Sequence, residues 1–338
     1  MIRSIDSKTK KFWKNQSKNL IWEKPFSQIY KFENILSQKW FIDGKINIYK
    51  NLIQKNQIDN GNKVGITCVN KDKKIVNYNY NEIHALVLSF EKIIQYLAFK
   101  KKINKIMIHS SASKESFVSM LACAKLGIEF SVLFENLESQ AILNRINIFK
   151  PDIFISRLNK NKFLKKNIDS ISSIKKKTKL FFFDDLNKLN LPKKIKKFEN
   201  NYKTNIFDSN KSFFTLFTSG STGQPKGICH NIGGYLTYSL YTSKYHFGMN
   251  SKSVILTASD AGWINGHTYA LFSPLLLGAE TILVEDPFLL LDEKFLHKII
   301  KERKVSILYL PVTIIRIMRS MFNYRKNKNF FLKTIGSM

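Results

Sequence analysis

The chain has 338 residues, of which 44% are hydrophobic and 27 are phenylalanine, so it can bury two substantial cores and disorder throughout is excluded. Its 55 Lys and Arg residues against 25 Asp and Glu residues give a formal net charge of +30. The excess is nearly all lysine and accompanies abundant Asn, Ile and Phe, which share AT-rich codons, so mutational drift explains it without a selected partner. The basic runs at 173–179 and 192–203 lack the aromatic spacing of a base-stacking surface. A nucleic-acid or anionic-surface binder is therefore the less favoured alternative.

The three cysteines, Cys68, Cys123 and Cys229, lie far apart and form no CxxC pair. Neither a disulfide framework nor a zinc site is predicted, and we assign no metal-ligating residues. The first residues contain no apolar run typical of a signal peptide, and no later stretch reaches the roughly 18 apolar residues that a membrane span requires. We therefore expect a cytoplasmic protein with reduced thiols and no membrane partner.

Residues 1–60 form the first predicted region. They carry scattered aromatic side chains without sustained periodicity, which is typical of an irregular cap packed on a domain surface. Residues 61–210 are predicted to form a first α/β subdomain, because strand-like runs such as VGITCV and KIMIHS alternate with helix-like runs. Within it, residues 157–210 are rich in Lys and Asn, and we interpret them as a linker that contains one strand at 180–184.

Residues 211–338 are predicted to form a second α/β subdomain. Its strand-like runs are FFTLFT, SVILTA, ETILVE and SILYLP, and helices are expected from about Gly234 and Asp292. Alternation of this kind indicates helices packed on a mostly parallel sheet. The predicted fold class is therefore α/β, with two such subdomains behind the cap.

The segment TSGSTGQPKG, from Thr218 to Gly227, directly follows the strand FFTLF. Small hydroxyl residues and glycines let a loop fold so tightly that backbone N–H groups and hydroxyls converge on one anion, and a lysine adds positive charge. The spacing GxxxxGK[ST] of a Walker A loop is absent. We therefore predict a phosphate-binding loop of another kind, with ATP phosphates held by Thr218, Ser219, Gly220, Ser221, Thr222, Gly223 and Lys226.

This loop resembles the phosphate loop of the adenylate-forming ligases. The segment from Asp260 to Tyr269, DAGWINGHTY, is similar to the carboxylate-pocket segment of acetyl- and propionyl-coenzyme A synthetases, with Trp263 and His267 as its markers. The cap also fits this family through Trp40-Phe-Ile-Asp-Gly44. The resemblance extends from about Phe12 to the last residue, and it implies the N-terminal part of the adenylate-forming ligase fold, without the C-terminal domain.

The resemblance to acetyl-coenzyme A synthetases implies a two-step reaction. A carboxylate attacks the α-phosphate of ATP and expels pyrophosphate, and the thiol of coenzyme A then cleaves the acyl-adenylate to a thioester. ATP, Mg²⁺ and coenzyme A are the implied cofactors. The implied acyl pocket is walled by Trp263, Ile264 and Asn265. A small pocket implies a small acid, with acetate preferred. Excluding one extra methylene is worth only about 1–3 kcal/mol, so propionate stays open.

Departures from the family pattern concern coenzyme A. Asn265 stands where the family usually has a Thr that contacts coenzyme A, and Phe288 replaces a polar family residue. The Arg/Gly-rich turn with which relatives grip a coenzyme A phosphate is reduced to residues 157–162, RLNKNK. Thioester formation is thus less well supported than nucleotide binding.

The segment that ends at Met338 resembles the strand that leads into the adenine-binding turn of relatives. The catalytic lysine implied by the family is expected beyond Met338. The expectation is therefore a truncated or split ligase that a second polypeptide completes. The alternative is a non-catalytic remnant or partner subunit with the ligase fold.

Overall fold

The computed structural model describes residues 4–34, 37–99, 101–167, 170–187, 205–218, 224–321 and 334–337. The chain divides into two compact units, each of which is discontinuous in sequence. The first unit comprises residues 1–51, 85–110 and 118–238. The second unit comprises residues 52–84, 111–117 and 239–338. This division differs from the boundaries that the sequence predicts after residues 60 and 210.

The bounds of the described elements are as follows. The strands are β1 (Trp22–Lys24), β2 (Gln28–Asn34), β3 (Ser37–Ile42), β4 (Lys45–Ile46), β5 (Val64–Val69), β6 (Ile75–Asn79), β7 (Lys105–His109), β8 (Glu129–Leu133), β9 (Ile153–Ser156), β10 (Lys179–Phe182), β11 (Phe207–Asp208), β12 (Ser212–Thr218), β13 (Lys226–Asn231), β14 (Val254–Thr257), β15 (Glu280–Val284), β16 (Ile307–Leu310) and β17 (Thr334–Ser337). The α-helices are α1 (Ser7–Ser17), α2 (Lys55–Asn60), α3 (Tyr80–Leu97), α4 (Lys114–Leu126), α5 (Ser139–Phe149), α6 (Lys160–Lys166), α7 (Ile171–Lys177), α8 (Phe183–Asn187), α9 (Ile232–His246), α10 (Ile264–His267), α11 (Ser273–Leu277), α12 (Glu293–Glu302) and α13 (Val312–Met321).

Within the described residues, the first unit contains a six-stranded sheet in the order β10-β9-β7-β8-β12-β13. The strands from β10 to β12 are parallel, and β13 is antiparallel to β12. Every residue of β9 is buried, as expected for a parallel strand covered on both faces. One core of this unit combines residues of the sheet with residues of α5, α6 and α7: Met107, Leu133, Ile142, Ile146, Phe149, Phe154, Phe163, Ile174 and Phe182.

The N-terminal cap is more regular than its sequence suggests. It contains helix α1, which Asp6 caps by accepting from Thr9 N at 2.8 Å, and the antiparallel hairpin β2–β3. Strand β4 pairs with β11, whose residues lie about 160 positions further along the chain. The prediction of an irregular cap is therefore wrong. Such short strands, with partners so distant in sequence, leave no periodicity that a sequence window can detect.

The Lys/Asn-rich region was predicted to be a linker with one strand, at residues 157–210. Its described part contains strand β10 but also helices α6, α7 and α8. Phe163 and Ile174 are fully buried, whereas Lys175, Lys176 and Lys177 are exposed. The linker interpretation is thus wrong for these helices. In α6 and α7 a buried apolar residue anchors a short, lysine-rich helix, and α8 buries Phe183 and Leu186. Residues 188–204, which include the whole of the second basic run, lie outside the described residues.

The second unit contains, within the described residues, a six-stranded sheet in the order β17-β16-β14-β15-β5-β6. Strand β5 is parallel to β15, with Ile66 opposite Thr281. This pairing explains why the observed division departs from the predicted boundary at residue 60: β5 and β6 belong to the sheet of the second unit. Helix α12 buries Phe295, Leu296, Ile299 and Ile300 against it. Of the helices described in either unit, none combines the length and apolar content that crossing a membrane requires.

Candidate functional site

The predicted phosphate loop closes a hairpin in the first unit. Strands β12 and β13 are antiparallel, with Thr218 opposite Lys226 and Phe217 opposite Gly227. The pairing therefore brings the first and ninth residues of the motif to the mouth of the loop. The other predicted phosphate-binding residues lie outside the described residues: Ser219, Gly220, Ser221, Thr222 and Gly223.

The base of this hairpin is held by side-chain contacts. Phe214 stacks on His230 with ring centroids 4.8 Å apart, and burial lowers the pKa of that imidazole. Thr215 Oγ1 donates to Glu129 Oε1 at 2.7 Å, which ties β12 to β8. The strands that carry Thr218 and Lys226 are thus fixed by packing and hydrogen bonds at the end opposite the loop.

Lys226 is exposed, and among the described residues no carboxylate lies within ion-pair distance of its ammonium group. Two other lysines of the first unit do form ion pairs: Lys45 lies 2.9 Å from Asp208, and Lys105 lies 3.4 Å from Glu129. An exposed ammonium group at the mouth of a Gly/Ser-rich loop can bind an external anion. The Lys226 ammonium group is therefore available to an anion at the mouth of this loop.

The predicted acyl-pocket segment forms a tight turn in the second unit. Asp260 Oδ1 accepts from Gly262 N at 2.8 Å, and the Asp260 carbonyl accepts from Trp263 N at 3.1 Å. The Trp263 carbonyl accepts from His267 N at 3.2 Å and from its ring Nδ1 at 3.1 Å. Gly266 permits this shape, because a Cβ there would lie 2.1 Å from the Asp260 carbonyl oxygen. The turn is thus held by hydrogen bonds at both ends.

This turn presents the predicted acyl-pocket side chains outward. Trp263 is 57% exposed and Ile264 is 36% exposed, whereas His267 is fully buried. Asn265 is partly exposed between them. The structure therefore brings Trp263, Ile264 and Asn265 onto one turn at the carboxyl end of β14. At this exposure Trp263 is not a core residue of the second unit.

Phe288 lies at the same edge of the sheet. Strands β14 and β15 are parallel neighbours, so their carboxyl ends meet at one edge. Asp286 accepts from the Phe288 backbone N–H at 3.0 Å and starts a 3₁₀ turn, Pro287–Leu291, that leaves the Phe288 ring 62% exposed. The family resemblance implies a coenzyme A contact at Asn265, and the structure shows an exposed aromatic ring at the edge where β14 and β15 end.

The turn after β9, where the resemblance implies a coenzyme A phosphate, is closed by an ion pair. Arg157 Nη1 donates to Glu135 Oε1 at 3.0 Å. Sequence reasoning missed Glu135. The sequence did contain a signal for it, because each of the two residues directly follows a predicted strand: Glu135 follows FSVLF, and Arg157 follows DIFIS. Only the order of the strands in the sheet shows that these two strand ends are close.

The comparisons with known proteins agree with this architecture. A family model described as AMP-binding enzyme matches residues 58–336, and one described as acetyl-coenzyme A synthetase N-terminus matches residues 1–52. An acetyl-coenzyme A synthetase from Bartonella bacilliformis is 29% identical over 341 residues, covering 94% of this chain and 52% of that protein. The acetyl-coenzyme A synthetase of Escherichia coli K12 is 28% identical, covering 91% of this chain and 50% of that protein.

A solved structure shows the same fold. The acetoacetyl-CoA synthetase from Streptomyces lividans superposes with a TM-score of 0.74 at 14% identity, covering 93% of this chain and 50% of that one. The α/β ligase fold predicted from the sequence is thus confirmed. The chain belongs to the AMP-binding enzyme family, in which it corresponds to the N-terminal portion of acetyl-coenzyme A synthetases. It spans about half the length of the relatives it matches.

Proposed function

We propose that this chain forms the acid-activating part of an acetate–CoA ligase. The substrate is a short carboxylic acid, acetate in the first place and propionate as the alternative, which ATP converts to an acyl-adenylate and coenzyme A to a thioester. The observation that carries the proposal is the hairpin β12–β13, which places an exposed Lys226 without a described carboxylate partner at the mouth of a hydroxyl- and glycine-rich loop.

In this proposal, the phosphate loop and the acyl-pocket turn have separate tasks in the first step. The loop between β12 and β13 holds the β- and γ-phosphates of ATP with backbone N–H groups and hydroxyls, and Lys226 offsets their negative charge. Mg²⁺, bound together with the nucleotide, would supply further positive charge to the phosphates. In the second unit, the turn that carries Trp263, Ile264 and Asn265 holds the acyl group of the acid. The chain's own contribution is therefore positioning and charge neutralisation.

Binding measurements test this proposal, since turnover belongs to a whole ligase and this chain matches about half of one. Lys226→Ala removes a charge-assisted contact worth about 1.5–3 kcal/mol, so calorimetry should show pyrophosphate binding about tenfold weaker or worse. Lys8→Ala removes the same charge from exposed helix α1 and is the matched control, expected to leave affinity nearly unchanged. Equal affinity of the Lys226→Ala variant and the parent, with Mg²⁺ present, would contradict the proposal.

A further inference from the structure

The carboxyl end of β7 is covered by an ion pair that comes from the strands on either side of it. Strand β7 lies between β9 and β8 in the sheet. Arg157 directly follows β9, and Glu135 lies two residues beyond β8. Neighbouring strands are about 4.8 Å apart, so the two outer strands are separated by about 10 Å. Arg157 and Glu135 span this gap with long side chains and meet at 3.0 Å.

Backbone and side-chain hydrogen bonds hold these strand ends in place. Arg157 N donates to the His109 carbonyl at 2.9 Å, and Ser110 N donates to the Leu133 carbonyl at 3.1 Å. His109 Nδ1 lies 2.9 Å from Ser156 Oγ, and both side chains are fully buried. The ion pair is therefore built on a fixed support, unlike a surface pair between two mobile side chains.

Burial makes this pair strong and hard to replace. The Glu135 side chain is 11% exposed and the Arg157 side chain is 25% exposed, so water and salt screen their attraction only in part. An external phosphate that reached Arg157 would have to compete with a carboxylate that already accepts from its Nη1. The nearby lysines, Lys160 and Lys162, are exposed point charges without the planar donor pattern of arginine.

We propose that Glu135 is an internal counter-ion that occupies Arg157 in place of a coenzyme A phosphate. The turn after β9 then contributes no phosphate contact, although the family resemblance implies one there. This inference rests on the proposed function, because it concerns how that ligase receives coenzyme A. It predicts that coenzyme A recognition does not use Arg157 and that removing the Glu135 charge opens an anion site.

Calorimetric titration of the full chain with coenzyme A and with 3′-dephospho-coenzyme A tests the inference. The parent protein should bind the two ligands within about twofold of each other, or bind neither. Glu135→Gln leaves a mostly buried guanidinium group without its carboxylate. This variant should therefore bind coenzyme A about tenfold or more tighter than the dephospho form, and the difference should shrink at high salt.

Two further variants assign the effect to the ion pair. The double variant Glu135→Gln/Arg157→Gln should lose the gain completely. Glu129→Gln, at the amino end of the same strand β8 and similarly buried in a contact with Lys105, removes an equal charge away from Arg157 and should show no gain. Equal behaviour of Glu129→Gln and Glu135→Gln would overturn the inference.

The parent protein alone decides the matter if the Glu135→Gln variant does not fold. A parent that prefers coenzyme A over its dephospho form by about tenfold or more, and loses the preference in Arg157→Gln, would overturn the inference. The pyrophosphate titration of Lys226→Ala is independent of these ligands. If Lys226→Ala binds pyrophosphate as tightly as the parent while the coenzyme A titrations give the expected results, the ligase proposal is rejected and the internal counter-ion stands. If Lys226→Ala weakens pyrophosphate binding while the coenzyme A titrations contradict the expectation, the internal counter-ion is rejected and the ligase proposal stands.

Discussion

Arg303 and Glu280 form a two-donor ion pair inside the second unit. Arg303 Nε and Nη2 both donate to Glu280 Oε1, at 3.0 and 2.6 Å, and Thr67 Oγ1 donates to the same oxygen at 2.9 Å. The Glu280 side chain is 11% exposed. Through these contacts one carboxylate joins the start of β15 to β5 and to the end of α12, three segments that are far apart in sequence.

We expect Arg303→Ala to destabilise the second unit by about 3 kcal/mol, because it leaves a mostly buried carboxylate without its cation. Urea unfolding followed by far-UV circular dichroism measures this change. Lys73→Ala breaks the exposed pair between Lys73 and Asp292, 2.6 Å apart, and is the control, for which we expect a much smaller change. If both variants lost a similar free energy of unfolding, burial would not distinguish the Arg303–Glu280 pair from the Lys73–Asp292 pair.

Trp263→Ala should change the free energy of unfolding by less than about 1 kcal/mol, because the indole is 57% exposed. Trp22 provides the contrast. Its ring packs on Phe26 and Phe41 with centroids 5.1 and 5.4 Å away, and its Nε1 donates to the Ser17 carbonyl at 2.9 Å. Trp22→Ala should cost about 3 kcal/mol. Thermal unfolding of the two variants checks the order, and a larger loss at Trp263 would place its ring in a core.

Gly266→Ala should destabilise the turn that carries Trp263, Ile264 and Asn265. Its Cβ would meet the Asp260 carbonyl oxygen at 2.1 Å, and a backbone atom cannot move aside as a flexible side chain can. We expect a cost of about 2 kcal/mol or more. Gly234→Ala on helix α9 is the matched control, since its Cβ would lie 3.9 Å from Trp40 Cβ, and it should be neutral or slightly stabilising. Denaturant midpoints compare the two, and a tolerated Gly266→Ala would refute the tight turn.

His109 should make stability depend on pH. Burial lowers the pKa of its imidazole to about 4, while Glu135 opposes this change and Lys166 adds to it. The unfolded chain, with a pKa of 6.5, binds the proton more readily than the folded chain, so the stabilisation is complete above pH 6.5 and is lost as the pH falls toward 4. The slope in this window should reach about 1.4 kcal/mol per pH unit for this group.

His109→Gln removes this titration, so the stability curve measured by urea unfolding between pH 4 and pH 7 should become flatter. His246→Gln, at an exposed position on α9, is the control and should preserve the slope of the parent. An unchanged slope in His109→Gln would mean that the imidazole is not buried in its neutral form.

Much of the secondary structure could be predicted from the sequence. Helices α3 and α4 and strands β5, β7, β8 and β9 lie where alternation and helical periodicity predict them. The phosphate-loop motif and the Trp263 segment are also recognisable without a structure. These features depend on residues that are close along the chain, so a local pattern of apolar, small and glycine residues is sufficient to indicate them.

Other features required the tertiary structure. The pairing of β5 with β15, the pairing of β4 in the cap with β11 and the helices hidden among lysines at 160–177 all depend on partners that are distant in sequence. The same holds for the contact of Arg157 with Glu135 and for the exposure of Trp263. The sequence by itself determined many of the strands and helices, the motif and the family, because short-range preferences encode them. The order of the strands decided which charged side chains form ion pairs and which aromatic side chains are exposed. That order results from the burial of whole sheet faces, and no local sequence pattern specifies it.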